Sequence, residues 1–140
     1  MRRVVPTNGA AMTDIPKTSI YPEQELTQKI LEGAFAVHNA LGCGFLEKVL
    51  SNALWVELHN MEIACVREVP FKVIYRGTVV GDYCADLVVD RRVLVELKAC
   101  AGLDPVHEAQ ILNYLKVSGI HVGLLMNFGR PRLEYRRFVR

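Results

Sequence analysis

From Glu23 onward, apolar residues recur at helical spacing. Ile30, Ala34, Val37 and Leu41 form a stripe that Leu31 and Phe35 widen, and Pro22 suits the first turn. Gly42-Cys43-Gly44 stops this helix. A second helix is predicted to run to about Asn60, with Leu46, Val49, Leu50, Ala53, Leu54 and Leu58 inward. The period then shortens to that of a strand. Ile63 to Val69 and Phe71 to Arg76 read as two β segments separated by Pro70, which cannot donate into a central ladder. After a turn at Gly77, Val79 to Val89 and Val93 to Lys98 predict two more strands around Asp90-Arg91-Arg92. Asp104-Pro105 pairs a helix cap with a proline at the first helical position, opening a helix to about Ser118. His121 to Phe128 is a nearly continuous apolar run, as in a strand covered on both faces, and Leu133 to Val139 follows the turn at Gly129-Arg130-Pro131. The predicted order is α-α-β-β-β-β-α-β-β, an α/β (α+β) fold with a mixed central sheet flanked by helices.

Residues 1–20 have no apolar period and read as a loose N-terminal arm, leaving 21–140 as a single domain. A chain of 140 residues can bury about two-thirds of its unfolded surface, so it needs no disulfide or zinc to fold. Its net charge of +2 neither announces nucleic acid nor excludes it. No stretch approaches the roughly 18 uninterrupted apolar residues of a membrane span, and the basic start has no apolar run behind it, so neither a membrane partner nor a secretory leader is expected. Cys43, Cys65, Cys84 and Cys100 form no Cys-x-x-Cys pair and lie in apolar segments. They read as reduced, mostly buried thiols of a cytoplasmic protein, since their spacing gives little support to a zinc or iron–sulfur site.

The strongest chemical signal is Asp86 followed by Glu96-Leu97-Lys98, charges set among Leu87, Val88, Val89, Val93, Leu94 and Val95. Charges in so apolar a setting cost free energy unless they are paired or bind a metal. Glu96 and Lys98 share one face of their strand. A three-residue loop, Asp90-Arg91-Arg92, would pair Val89 with Val93 and set Asp86 opposite Glu96, with Leu87, Val89, Val93, Val95 and Leu97 on the other, apolar face. A one-residue slip would exchange the faces, so the apolar agreement favours this register. Two carboxylates and an ammonium held together suit a hard cation such as Mg²⁺, which takes one or two carboxylates and accepts phosphate oxygens. A buried Asp/Glu–Lys salt bridge accounts for the same spacing without any chemistry.

Asp86 with Glu96-Leu97-Lys98 resembles the signature of PD-(D/E)xK nucleases, with Ala85 where that signature has proline. Within that superfamily the chain resembles the GxxExxY protein family, in the segments Gly44 to Leu50, Val106 to Lys116 and Gly123 to Gly129, although Leu50 stands in place of the motif's tyrosine. The resemblance covers roughly residues 22 to 138. It implies a restriction-endonuclease-like core and a Mg²⁺-dependent nuclease, Mn²⁺ being the substitute ion, that hydrolyses phosphodiester bonds by metal-activated water. It makes Asp86 and Glu96 metal ligands and Lys98 the residue acting on the water. Glu47, by itself an ordinary surface glutamate, becomes a further acidic group at or near the metal.

Gln110 and Tyr114 lie four apart on one helix face and resemble the substrate-side Gln-x-x-x-Tyr motif of recombination nucleases; bridging the helix to the sheet is the structural alternative. His107 reads as a helix N-terminal contact, Trp55, placed on the outward side of its helix, as packing or an oligomer contact, and Arg130, Arg132, Arg136, Arg137 and Arg140 as a solvated edge strand. Asn127 and Phe128 lie at the end of the buried strand, within reach of the site. The expected partners are nucleic acid, with DNA preferred, and further copies of the chain in a homo-oligomer, with no small-molecule cofactor. The rival reading is a catalytically silent nuclease-like protein that binds nucleic acid or self-assembles.

Overall fold

The computed structural model describes residues 22–140, so the arm read for residues 1–20 lies outside the described residues. Helix α1 (Gln24–Leu41) buries Leu26, Ile30, Leu31, Ala34 and Val37 along one stripe. It ends at Gly42, whose φ of 71° is costly for any residue with a Cβ. Helix α2 (Glu47–Asn60) packs across it through Leu50, Leu54 and Leu58. The helices meet closely at Gly33, where a Cβ would lie 3.3 Å from Leu58 Cδ2. Leu46 and Val49, expected to be inward, are exposed, Leu46 as the residue that caps α2 rather than part of its buried stripe.

A five-stranded mixed sheet follows, in spatial order β1-β2-β3-β4-β5. Strand β1 (Cys65–Tyr75) is continuous through Pro70, which merges two expected strands into one and makes the observed order α-α-β-β-β-α-β-β. The reason is position. As an edge strand, β1 has N–H groups with no ladder partner, so a proline there breaks nothing essential. Strand β2 (Thr78–Val89) returns antiparallel, and β3 (Val93–Lys98) follows the turn with Val89 opposite Val93 and Leu87 opposite Val95, the register set by a three-residue loop.

Helix α3 (Pro105–Ser118) carries the chain back over the sheet, so that β4 (Val122–Asn127) runs parallel to β3. Its start is a capping box: Asp104 accepts from the N–H groups of Val106 and His107, and His107 Nδ1 accepts from Asp104 N–H at 3.2 Å, the N-terminal contact expected of His107. Strand β5 (Glu134–Val139) closes the other edge, antiparallel to β4.

Each face of the sheet has its own core. Helices α1 and α2 cover Leu87, Val89, Val93, Val95 and Leu97, the five residues expected to share a face, together with Leu124, Met126 and Phe128. Helix α3 covers Ala85, Val88, Leu94, Leu125 and Phe138 with Ile111, Tyr114 and Leu115. Gly123 allows this approach, since a Cβ there would lie 3.0 Å from Ile111 Cδ1.

Three expectations are corrected. The cysteines are unpaired but not mostly buried: Cys43 and Cys84 are exposed, while Cys65 and Cys100 are half-buried. They lie in a loop, on an edge hairpin and beyond a strand end, where neighbouring apolar residues do not guarantee cover. Trp55 packs against the core, as one of its two readings has it, but not on the outward side of its helix: it turns onto β1, donating from Nε1 to the Cys65 carbonyl at 2.9 Å, with Arg67 over its ring. The C-terminal arginines are not uniformly solvated. Arg137 is buried and donates to the Pro22 carbonyl, and Arg136 donates to Glu108 at 2.8 Å. Strand alternation turns every second side chain toward a face, whatever its charge.

Candidate active site

The β2–β3 ladder stops one step short of the two acidic residues, after Leu87 opposite Val95. At the next step, side chains take over from backbone. Asp86 Oδ2 accepts from Leu97 N–H at 2.8 Å, and Glu96 Oε1 accepts from Asp86 N–H at 3.1 Å. Each carboxyl group thus occupies a hydrogen-bonding place left by the parting strands, which fixes both on rigid backbone. The two carboxyl groups are close enough for each to act on the other's titration. Burial, and then the negative charge of Asp86, push the Glu96 carboxyl up to about 9, against the opposing Asp86 N–H and Lys98. Asp86 is raised chiefly by burial and is opposed first by the Leu97 N–H.

Lys98 emerges from β3 on the α3 side, and its Nζ donates to Gln110 Oε1 at 2.8 Å. Gln110 Nε2 in turn donates to Tyr114 Oη at 3.4 Å, a long contact. Helical spacing puts Gln110 and Tyr114 in one line, and the structure joins that line to Lys98. The Tyr114 hydroxyl is raised above its ordinary range by burial and then by the charge of Glu96. Its ring lies 4.9 Å from that of Tyr83 on β2, at a tilted angle. Glu47 sits exposed in the first turn of α2. It is near enough for its charge to raise Asp86, but it is not part of the hydrogen-bonded pair.

Three further residues have roles that the sequence does not reveal, although it places Asn127 within reach of the site. Asn127, fully buried, accepts from the N–H groups of Cys100 and Gly129 at 3.0 Å each, and donates to the Cys100 carbonyl at 3.0 Å and to Glu134 at 3.2 Å. It does not reach the carboxylates. It clamps the loop that leaves β3 immediately after Lys98. Gly129 makes the clamp possible, since any Cβ there would fall 2.4 Å from the backbone N and O of Cys100. A buried asparagine ending an apolar strand was the signal available for the first, whereas nothing local marks the second. Tyr83 could not be read because its role depends on α3.

The donor set can be tested for fit to a divalent cation. Two hard carboxylate groups lie side by side, Glu96 buried and Asp86 half-buried, and in the protein alone both are pushed toward their protonated forms. A divalent cation would offset their negative charge, and Mg²⁺ usually takes one or two carboxylates from protein. The residues fit. Among the described residues, no group of three His, Cys, Asp or Glu side chains forms a ready-made metal site.

A mixed five-stranded sheet between helices, with two carboxyl groups at the parting of adjacent antiparallel strands and a lysine two residues further on, defines a restriction-endonuclease-like α+β protein. The chain belongs to the PD-(D/E)XK nuclease superfamily, whose sequence profile matches residues 24–138. Members of that superfamily act on nucleic acid and generally use divalent metals. The fold is similar to the crystal structure of SSO0001, with a TM-score of 0.54 at 21% identity over 86% of this chain. At that identity the likeness concerns the fold alone, and this chain matches only 59% of that protein's length. No curated protein matches the sequence.

Proposed function

We propose that the protein is a Mg²⁺-dependent nuclease that hydrolyses phosphodiester bonds, with Mn²⁺ able to replace Mg²⁺. The observation that carries this reading is the exchange of hydrogen bonds between Asp86 and Glu96 where β2 and β3 part, with Lys98 beside them. An ordinary structural salt bridge would pair Lys98 with a carboxylate, whereas here Lys98 Nζ donates to the neutral amide of Gln110. Asp86 and Glu96 would hold the cation, with Glu47 contributing negative charge from α2. When bound, the metal supplies a water of lowered pKa and shields the charge of the phosphodiester under attack. Lys98, steered by Gln110, orients the attacking water and stabilises charge developing on the phosphate. Gln110 and Tyr114 present an amide and a hydroxyl to the substrate along the same line. The segment Gly44 to Leu50 supports a finer placement among GxxExxY proteins, with Leu50, buried against α1, filling the tyrosine position by packing.

The test is cleavage of labelled single- and double-stranded DNA and RNA in Mg²⁺, Mn²⁺ or EDTA. Cutting should need the metal and should fall at least about a hundredfold in Lys98→Ala, the scale of a lost acid–base or charge-stabilising group. Asp86→Ala should also lose metal binding by calorimetry. Cutting that survives in Lys98→Ala, or in EDTA, would refute the assignment.

A further inference from the structure

We infer that the groove between α3 and the outer half of the β1–β2 hairpin binds an unpaired stretch of the substrate strand, with one base stacked on Tyr83 and a phosphate held by Lys116. This rests on the nuclease reading and adds to it the strandedness of the substrate and the path it takes.

The hairpin is much longer than the sheet it joins. Its pairing runs from Cys65 opposite Val89 to Tyr75 opposite Thr78, whereas β3 pairs only with Leu87 to Val89. The outer half therefore has no β3 beside it, and α3 runs alongside instead. Between them lies a groove of about 430 Å³ lined by Lys72, Ile74, Tyr83, Asn113 and Lys116, among others. That volume falls in the range of small-molecule sites, about 300–1,000 Å³, and suits a nucleotide-sized unit.

Three features point to a nucleic acid strand. The first is continuity with the site: Tyr83 lines the groove and touches Tyr114, which is joined through Gln110 to Lys98. A strand crossing Lys98 would thus reach an aromatic side chain next. The second is charge. Lys72 is tied to Asp82 at 2.9 Å, but Lys116 is exposed and makes no ion pair among the described residues, so one cation is available to a phosphate. The third is chemistry. An aromatic platform beside a cation is how proteins hold single strands, because every base offers a π face once it is unpaired. A duplex keeps its bases inside and could not use Tyr83.

The test measures binding of a fluorescent ten-nucleotide oligothymidylate to the full chain in Ca²⁺, across a range of salt, with cleavage of the same oligonucleotide followed separately in Mg²⁺. Tyr83→Ala should weaken binding about tenfold, within the range for one base–aromatic stack, and Tyr83→Phe should bind like the wild type. Lys116→Ala should reduce the slope of log affinity against log salt by about 0.7, one phosphate contact on a single strand, an effect that a merely structural role would not produce. A matched duplex should be indifferent to all three substitutions. If the wild type binds and cuts the oligonucleotide but Tyr83→Ala and Lys116→Ala do both equally well, the groove assignment fails and the nuclease reading stands. If binding depends on the groove but nothing is cut, the nuclease reading fails and the groove stands. Absence of binding by the wild type, or a duplex that loses affinity in the same variants, overturns the inference.

Discussion

Glu96 carries the clearest conflict between stability and chemistry. In the metal-free protein its carboxyl titrates near 9, raised by burial and by Asp86, whereas an unfolded glutamate titrates near 4.5. Between those values the folded state holds a proton that the unfolded state has released. The group's contribution is therefore fully present below about 4.5 and is lost progressively as pH rises toward about 9, by at most about 1.4 kcal/mol per pH unit. Glu96→Gln removes that dependence. In EDTA the variant should be more stable than the wild type at pH 8 and equal to it near pH 4.5, as measured by urea unfolding at each pH. In Mg²⁺ it should bind the metal poorly. A wild type whose stability in EDTA is flat over that range would show that the pair is not strained. Asp86, Glu96 and Lys98 were legible in the sequence because charges inside apolar strands are conspicuous. Lys98's attachment to Gln110 was not legible, since it joins a strand to a helix across a connection that pattern alone does not orient.

At the scale of elements, the end of β4 governs the end of β3. Gly129 packs its backbone against Ala99 and Cys100, and Asn127 satisfies both backbone groups of Cys100. Gly129→Ala would force a methyl group to within 2.4 Å of backbone atoms that belong to a different strand's loop and cannot yield like a side chain. A loss of about 3 kcal/mol or more in unfolding free energy is expected. Asn127→Leu keeps the volume but leaves the half-buried N–H groups of Cys100 and Gly129 without their acceptor, and should cost up to about as much, at about 1–3 kcal/mol for each group left unsatisfied. Both variants should lower activity more than a core truncation of equal cost, because the displaced loop begins one residue beyond Lys98. Comparison with Leu54→Ala, matched by thermal melting, would check this; equal activity at equal stability would reduce the clamp to a structural role. The helices and strands themselves were readable from periodicity. Pro70 misled because a proline argues against a central strand, and sequence does not say which strand will be the edge.

For the molecule as a whole, the proposed metal site would link cation binding to folding, because the two carboxyl groups come together only when β2 and β3 are paired. Mg²⁺ at about a hundred times its dissociation constant should stabilise the native state by about 2.7 kcal/mol, which for a domain of this size raises the melting temperature by roughly 8–10 °C. Asp86→Ala should melt at the same temperature with Mg²⁺ as with EDTA. A shift of similar size in that variant would place the cation elsewhere. Among the described residues, no helix is long and apolar enough to cross a membrane.

The sequence by itself determined the local elements and the register of the β2–β3 hairpin. Alternation allows only one pairing that buries Leu87, Val89, Val93, Val95 and Leu97 together, and that same pairing sets Asp86 beside Glu96. Such information is local: it depends on a period and a turn length. The tertiary structure alone decided that Pro70 lies on an edge strand, that Asn127 and Gly129 hold the loop beyond Lys98, and that Tyr83 meets Tyr114 over a groove. Each of those depends on which strands become neighbours after a long crossover, a choice made by the summed burial of two opposite faces rather than by any segment read alone.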